Sequence, residues 1–244
     1  MVTSVRVRAP SSTANLGPGF DVFGLALDAF HDEITLTKTN KSTTNKPWHG
    51  IRILTTDDIP KTPQQNTAGL VIKSMKQKFK IKSGIEMRIK KGVPAGFGMG
   101  SSAASAAAAA LACNRLFNLK LDNRTLVKCA GIGEKASAGT IHYDNVAASL
   151  LGGFIVVKTK PFDVIRLEPP KDLVLCVAIP KISVPKKKTE VSRAVIPKTV
   201  KLSALTENLS NAVNIVSGFL LKDSDLIGRS IQDVIVEPAR KHLI

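Results

Sequence analysis

Alternating or short apolar segments along the chain predict strands. These segments are Val2–Arg8, Ile34–Thr39, Ile51–Thr55, Ile85–Lys90 and Leu151–Lys158. Alternation of apolar and polar residues is the pattern of a half-buried strand. A further segment, Leu173–Ile179, is apolar almost throughout, so we expect a fully buried strand there.

Helical spacing of apolar residues follows or separates these strands. It predicts helices over Asn66–Phe79, from Ser101 to about Phe117, from an N-cap at Asp122 to about Ala138, and over Leu202–Leu221. Strands and helices therefore interleave, which indicates an α+β fold. The prolines of Pro161–Pro170 make that stretch the best candidate for a domain boundary.

The most informative segment joins a glycine-rich, uncharged loop to an alanine-rich helix. It reads Pro94-Ala-Gly-Phe-Gly-Met-Gly-Ser-Ser-Ala-Ala104, and eight of the twelve residues from Ser101 to Ala112 are alanine. The alternate glycines permit positive φ and a close approach of the backbone to a ligand. The helix directs its unsatisfied N–H groups and the positive end of its dipole at the loop. Such a site binds anions, phosphate above all.

The spacing distinguishes this loop from two common phosphate-binding loops. No Gly-Lys-Ser/Thr follows the glycines, so it is not the P-loop. The G-x-G-x-G spacing, with no acidic residue about 20 positions on, also differs from the dinucleotide fingerprint. An ordinary tight turn before a core helix is the alternative. The tandem Ser101-Ser102 favours a ligand site, because two hydroxyls at a helix start can cap it and also face a phosphate or a metal.

Three segments together resemble the GHMP kinases, a family of ATP-dependent small-molecule kinases. The loop from Pro94 to Ala104 resembles their ATP loop. Ala9-Pro-Ser-Ser-Thr-Ala-Asn-Leu-Gly-Pro-Gly-Phe-Asp21 and Gly139-Thr-Ile-His-Tyr-Asp-Asn-Val146 resemble the homoserine kinase branch of the family. The Pro-Gly-Arg/Lys and Gly-Glu-His pattern of the sugar and mevalonate kinases is absent near the N-terminus. The resemblance covers essentially the whole chain.

The resemblance also implies a two-domain α+β fold. Residues 1–160 would form a ribosomal-protein-like α/β layer domain that binds ATP, and residues 161–244 a ferredoxin-like α+β domain. The family carries a third glycine-rich motif of Ser-Gly-x-Gly-Pro type, which does not occur in this sequence. We therefore expect the second domain to be truncated, and an inactive nucleotide- or RNA-binding fragment stays open as an alternative to the enzyme.

The reaction implied by the resemblance is direct in-line transfer of the ATP γ-phosphoryl group to the hydroxyl of L-homoserine. The product, O-phospho-L-homoserine, belongs to threonine biosynthesis; another small-molecule substrate of the family is the alternative. Phosphoryl transfer requires charge neutralisation and in-line positioning. Mg²⁺ prefers hydroxyl, carboxylate and phosphate oxygens, and the resemblance places it on Ser102 and Glu134. The residues expected in the phosphate loop are Pro94, Ala95, Gly96, Phe97, Gly98, Met99, Gly100, Ser101 and Ser102.

An amino-acid substrate is a zwitterion, so its site needs a carboxylate for the ammonium and an arginine fork for the carboxylate. By resemblance, the substrate-binding residues are Asn15, Asp21, His142, Asp144, Thr189, Arg193 and Arg240. The catalytic candidates are Glu134, Asp144 and Asn145, and the adenine-side candidates are Asn66 and Lys91. Each has an ordinary structural alternative as a cap, a turn residue, a core histidine or a surface charge. No residue stands out as a general base.

Composition limits the partners of the chain. The formal net charge is +16, which invites a nucleic-acid interpretation. The basic residues are dispersed and no RNA-reading motif or aromatic stacking set is present, so a solvated basic face is favoured. Three widely spaced cysteines indicate a reduced, cytoplasmic protein. The alanine run is too short to span a bilayer, and a homodimer is an expectation from the family alone.

Overall fold

Six strands form one mixed sheet in the computed structural model of the chain. The structure describes residues 2–39, 50–137, 141–181 and 188–243, with only the backbone of residues 137 and 188–190. The strands are β1 Ser4–Asn15, β2 Gly19–Thr39, β3 Ile51–Leu54, β4 Gly84–Lys90, β5 Phe154–Thr159 and β6 Phe162–Leu167. The helices are α1 Thr67–Lys78, α2 Ser101–Leu116, α3 Asn123–Gly131, α4 Glu134–Ser137, α5 Asp144–Leu151, α6 Lys188–Ala194, α7 Leu202–Leu221, α8 Ser224–Ser230 and α9 Val236–Arg240, followed by a 3-10 turn over Lys241–Leu243.

The long strand β2 organises the sheet, because three other strands pair with it. It runs antiparallel to β1, to β4 through Glu33–Thr39 and to β5 through Phe23–Leu25. The strand order is β3-β4-β2-β5-β6, and β3 is parallel to β4. The two strands predicted near the N-terminus are therefore parts of a longer hairpin. Its tip carries the segment from Asn15 to Asp21.

The main core lies between one side of the sheet and the helices α1, α2 and α3. All eight alanines between Ser101 and Ala112 are at most 1% exposed. Their small side chains let α2 lie close to β1 and β2, which explains why the helix is rich in alanine. The predicted helices over Asn66–Phe79 and Ser101–Phe117 are confirmed, each ending in a cap at Phe79 or Phe117.

A second apolar cluster joins α7 and α8 to β2 and β5. The rings of Phe154 and Phe219 stack with centroids 3.8 Å apart, and Ile215 and Ile227 are buried beside them. The predicted helix over Leu202–Leu221 is confirmed. Six other apolar side chains of α7 are exposed: Leu202, Leu205, Leu209, Val213, Leu220 and Leu221.

Two sequence predictions about elements are wrong. Leu173–Ile179 has no regular structure and exposes its side chains, including 88% of Val174. No strand among the described residues pairs with this segment, so its backbone lacks the partner that a strand requires. The helix that begins after Asp122 ends at Gly131 rather than near Ala138. The backbone of Gly133, two residues after this end, packs against α1 and α2. A Cβ atom added to Gly133 would lie 2.9–3.0 Å from side-chain carbons of Thr67, Val71 and Ala106.

The strand β6 bears on the domain boundary predicted between residues 160 and 161. It pairs antiparallel with β5 in the first sheet, although that boundary assigns it to the second domain. We propose that the boundary falls after Leu167, where the sheet ends and the irregular stretch begins. Cys176 lies in that stretch and is exposed, whereas Cys113 and Cys129 are buried as expected.

Candidate active site

One cleft of about 640 Å³ gathers most of the predicted site residues. Its walls come from the hairpin tip, the glycine loop, the starts of α2, α4 and α5, and the α6 and α9 helices. Of the predicted residues, those that line it are Asn15, Asp21, Asn66, Lys91, Ala95, Gly96, Gly98, Met99, Gly100, Ser101, Ser102, Glu134, His142, Asp144, Asn145, Arg193 and Arg240. Segments far apart in the chain thus meet at one place.

The glycine loop has the backbone that the sequence predicts. Gly96, Gly98 and Gly100 have φ of 87°, 77° and 65°, a region that glycine enters at little cost. Gly100 is the N-cap of α2 and provides no side-chain cap, so the first N–H groups of the helix face the cleft. This is the arrangement that binds phosphate.

Two predicted loop residues, Pro94 and Phe97, do not line the cleft, and the hydroxyl of Ser101 is engaged within the loop. Phe97 packs against the cluster of Leu27, Val93, Met99 and Ala104 and anchors the loop. The hydroxyl of Ser101 donates to the Val93 carbonyl at 2.9 Å rather than capping α2.

The buried carboxylate of Asp32, which the sequence analysis did not identify as a site residue, holds the backbone just before the glycine loop through hydrogen bonds. Asp32 is 0% exposed. It accepts hydrogen bonds from the N–H groups of Gly92 and Val93, both at 3.0 Å, and from Ser105 Oγ at 2.6 Å, and it pairs with Lys91 Nζ. Lys91 Nζ also donates to Ser101 O at 2.8 Å. The ammonium predicted beside the adenine is therefore already committed to this network, although Lys91 lines the cleft.

Replacing Asp32 by alanine is expected to lower the free energy of unfolding by about 3–5 kcal/mol, because it leaves a largely buried lysine without its counter-ion. Urea denaturation of the two chains measures the loss. The matched control is Asp163→Ala, which breaks the exposed pair with Arg124 and should cost at most about 1 kcal/mol. Equal losses for the two variants would contradict a structural role for Asp32.

Glu134 and Asp144 place two buried carboxyl groups on one side of the cleft, 7% and 3% exposed. Burial raises the pKa of Glu134 to about 7; a hydrogen bond with the Ser102 side chain opposes this shift, and the charge of Asp144 adds to it. Burial also raises the pKa of Asp144 to about 6, against a hydrogen bond from the Asn145 N–H. Burial disfavours the charged form of both groups, and a cation bound beside them would favour the charged forms and lower both pKa values.

Asn66, predicted on the adenine side, has a clear structural role. Its side chain accepts from the Gly69 N–H at 2.9 Å as the N-cap of α1 and donates to the Pro60 carbonyl at 2.8 Å. It is 5% exposed and borders the cleft. Asn66 is therefore a helix cap, and its place on the adenine side of the cleft stays a prediction.

An acidic and a basic residue predicted to bind substrate contact each other directly. Arg193 Nη2 lies 2.6 Å and 2.9 Å from the two carboxylate oxygens of Asp21. The guanidinium carbons of Arg193 and Arg240 lie 5.2 Å and 5.0 Å from the centroid of the Phe20 ring, within the range of cation–π attraction. Arg240 Nε also donates to the Ser192 carbonyl at 2.9 Å. The two arginines thus converge beside the hairpin tip.

The hairpin tip presents its polar groups through a left-handed backbone. Asn15 and Asp21 have φ of 73° and 59°, and Asn15 Oδ1 accepts from the Asp21 N–H at 3.1 Å.

Burial lowers the pKa of the nearby His142. The charge of Arg193 lowers this pKa further, and the charge of Asp21 opposes the shift. The side chain of Thr189 and residues 139 and 140 of the third motif lie outside the described residues.

Phe20, Asp32 and Ser12 are the residues of the site that sequence reasoning missed. Phe20 and Ser12 lie inside the N-terminal motif, but an apolar ring and a small hydroxyl carry no chemical signal of their own. Asp32 lies between His31 and Glu33, but along β2 it alternates in step with the buried residues Ile34 and Leu36. A charge at a core-facing position is the signal that could have identified it, because buried charges require partners.

The fold and the cleft define an ATP-dependent phosphotransferase, with an anion-binding loop beside a charged site for a small molecule. Residues 66–153 match the model of the GHMP kinases N terminal domain. The homoserine kinase of Thermoplasma volcanium is 40% identical over 235 residues, 96% of this chain and 72% of that protein. That of Methanopyrus kandleri is 41% identical over 99% of this chain and 77% of its own length.

A solved structure agrees with these relatives. The crystal structure of homoserine kinase from Cytophaga hutchinsonii superposes with a TM-score of 0.85 at 37% identity, covering 100% of this chain and 76% of that one. The chain belongs to the GHMP kinase family, in its homoserine kinase branch. Over the described ranges, none of its helices combines the length and apolar character needed to cross a membrane.

Proposed function

We propose that the chain is a homoserine kinase that transfers the γ-phosphoryl group of ATP to the hydroxyl of L-homoserine. The observation that carries the proposal is a single cleft in which an anion-binding helix start faces an acid–arginine pair. The loop suits a triphosphate, and the pair suits the ammonium and carboxylate of a free amino acid. The relatives named above carry the same activity in their names.

The oxygen atoms beside the loop fit Mg²⁺. Among the described residues no group of three acidic, histidine or cysteine side chains could hold a metal alone. Ser102 near the start of α2 and Glu134 at the start of α4 offer a hydroxyl and a carboxylate, which are hydrogen-bonded to each other. Mg²⁺ typically takes few protein ligands and completes its shell with phosphate and water. When bound, it would neutralise charge on the phosphates.

The residues of the chain then act mainly by position and charge. The N–H groups at the start of α2 bind the phosphates, Arg193 and Arg240 bind the substrate carboxylate, and Asp21 binds the ammonium. Asn145 orients the substrate hydroxyl for in-line attack. Phosphoryl transfer of this kind depends on alignment and electrostatic stabilisation more than on a strong base.

The test is release of ADP by the purified chain with MgATP, with and without L-homoserine. Homoserine-dependent ADP is expected, with O-phospho-L-homoserine identified by mass spectrometry. The control substrates are mevalonate, which tests another activity of the family, and 4-hydroxybutyrate, which keeps the hydroxyl and carboxylate but lacks the ammonium. A folded, ATP-binding chain that releases no more ADP with homoserine than without it would contradict the proposal.

Two further expectations rest on the family resemblance. A cytoplasmic location is consistent with the reduced cysteines, and a homodimer stays a prediction that sedimentation can test. Binding to nucleic acid is not expected, because the basic residues are dispersed along the sequence.

A further inference from the structure

Ser12 lies at a junction between the glycine loop and α5. It is 0% exposed, and its hydroxyl contacts two side chains of α5. Ser12 Oγ donates to Asn145 Oδ1 at 2.9 Å, with the Asn145 carbonyl farther away at 3.3 Å, and it accepts from Ser149 Oγ at 3.0 Å. These three polar side chains form a short hydrogen-bonded relay, which runs from the buried Ser149 and Ser12 to the half-buried Asn145 at the cleft.

The relay fixes the orientation of the Asn145 amide. Ser149 donates to the Ser12 oxygen, so the single proton of Ser12 is directed at Asn145. That proton requires an acceptor. The amide oxygen at 2.9 Å is nearer than the backbone carbonyl at 3.3 Å, and the amide nitrogen, which is a donor, cannot take this place. The Nδ2 group of Asn145 is then the part of the side chain left for the cleft, which Asn145 lines. A donor is what a substrate oxygen requires.

Ser12 also contacts the end of the glycine loop. Its N–H donates to the Met99 carbonyl at 3.1 Å. A Cβ atom added to Gly100 would lie 2.2 Å from Ser12 Oγ and 3.1 Å from Asn145 Oδ1. The backbone at the N-cap of α2 therefore rests directly on the Ser12–Asn145 hydrogen bond. One residue joins the loop that binds phosphate to the amide that faces the substrate.

We propose that Ser12 is a positioning residue for phosphoryl transfer: it orients the Asn145 amide and holds it in register with the phosphate loop. The inference rests on the proposed function, in which Asn145 orients the substrate hydroxyl. Ser12 acts through Asn145 and contacts no substrate. Its effect is therefore on alignment in the reaction, and binding of ATP is little changed.

The test compares Ser12→Ala with Ser11→Ala in the homoserine-dependent release of ADP. For Ser12→Ala, kcat should fall roughly 10- to 100-fold, since small misplacements at a reacting centre cost this much, while KM for ATP stays within about twofold. Ser11 is a matched control, because it is also 0% exposed but bonds to the Leu27 carbonyl at 3.2 Å and not to the site. Ser11→Ala should keep the wild-type kcat.

A double-mutant cycle distinguishes positioning from a general structural loss. On an Asn145→Ala background, Ser12→Ala should lower kcat no further, because the residue through which it acts is gone. Ser149→Ala, one hydrogen bond further away, should lower kcat by a smaller factor and likewise lose its effect on that background. If the Ser12→Ala chain does not fold, Ser149→Ala tests the proposal in its place.

Two outcomes would overturn the proposal: a wild-type kcat for Ser12→Ala and Ser149→Ala, or an unchanged factor on the Asn145→Ala background. Failure of the proposed function is recognised separately, because the wild-type chain would then release no homoserine-dependent ADP.

Discussion

Replacing Gly100 by alanine is expected to abolish most kinase activity and to destabilise the fold. Gly100 has φ of 65°, and an added Cβ would lie 2.2 Å from Ser12 Oγ. The left-handed backbone costs about 1–2 kcal/mol for a residue with a side chain, and overpacking adds about 1–3 kcal/mol. Because the overlap displaces the phosphate loop from Asn145, we expect kcat to fall roughly 100-fold. Urea denaturation and steady-state kinetics measure the two effects.

Gly152→Ala is the control for the activity part of this prediction. Gly152 also has a positive φ of 72°, and nothing lies within 4 Å of its added Cβ; it caps α5 away from the cleft. Its ψ of 173° places it in a region that is essentially restricted to glycine, so Gly152→Ala should also destabilise the fold, by about 1–3 kcal/mol, with kcat close to the wild type. Equal kcat values for the two variants would show that the contact between Gly100 and Ser12 has no consequence for catalysis.

Replacing Glu134 by glutamine should lower kcat at least roughly 100-fold, the scale seen when one charge-stabilising group is lost at a reacting centre. Glutamine preserves the size of the side chain and can still hydrogen-bond to Ser102, but it removes the carboxylate that would hold Mg²⁺. The concentration of Mg²⁺ needed for half-maximal rate should rise at the same time. Kinetics over a series of Mg²⁺ concentrations at fixed ATP test both statements.

Glu86→Gln serves as the control for a carboxylate outside the cleft. Glu86 lies on β4 and pairs with the exposed residues Arg52 and Arg88, so its loss should leave kcat and the Mg²⁺ requirement unchanged. If Glu134→Gln kept more than about half of the wild-type kcat, the electrostatic role given to this carboxylate would be wrong.

The spacing of apolar residues predicted the helices whose bounds depend on local sequence rather than on contacts with distant residues. The bounds of α7 and the start of α2 agree with the sequence because apolar spacing and an alanine run determine them locally. The prediction of a strand over Leu173–Ile179 is wrong because a strand depends on contacts with other parts of the chain. Its composition suits a buried strand, but a strand depends on a paired neighbour, which a single segment cannot reveal. The break after α3 likewise depends on close packing of Gly133 against other helices.

The motifs predicted which residues line the cleft better than they predicted which neighbours those side chains contact. The glycines of the loop have the positive φ that their pattern indicates, and residues from all three motifs meet in one cleft. The partners of individual side chains could not be read from the sequence. Asn66 caps a helix and Lys91 pairs with Asp32, since a long-range neighbour 59 residues away decides what the lysine contacts.

The ion pair between Asp21 and Arg193 has a consequence for which molecules the cleft accepts. Each group already satisfies the other, with oxygen atoms 2.6 Å and 2.9 Å from Nη2. A ligand with a single charge would pair with one of the two groups and leave the other without its partner. The side chains of Arg193 and Asp21 are 34% and 37% exposed, so water reduces the cost of that unpaired charge without removing it. A zwitterion would replace the ion pair between the two side chains by two new ion pairs, so that neither side chain is left without a partner. If Asp21 and Arg193 bind the substrate as proposed, the pair favours molecules that carry both charges over molecules that carry one.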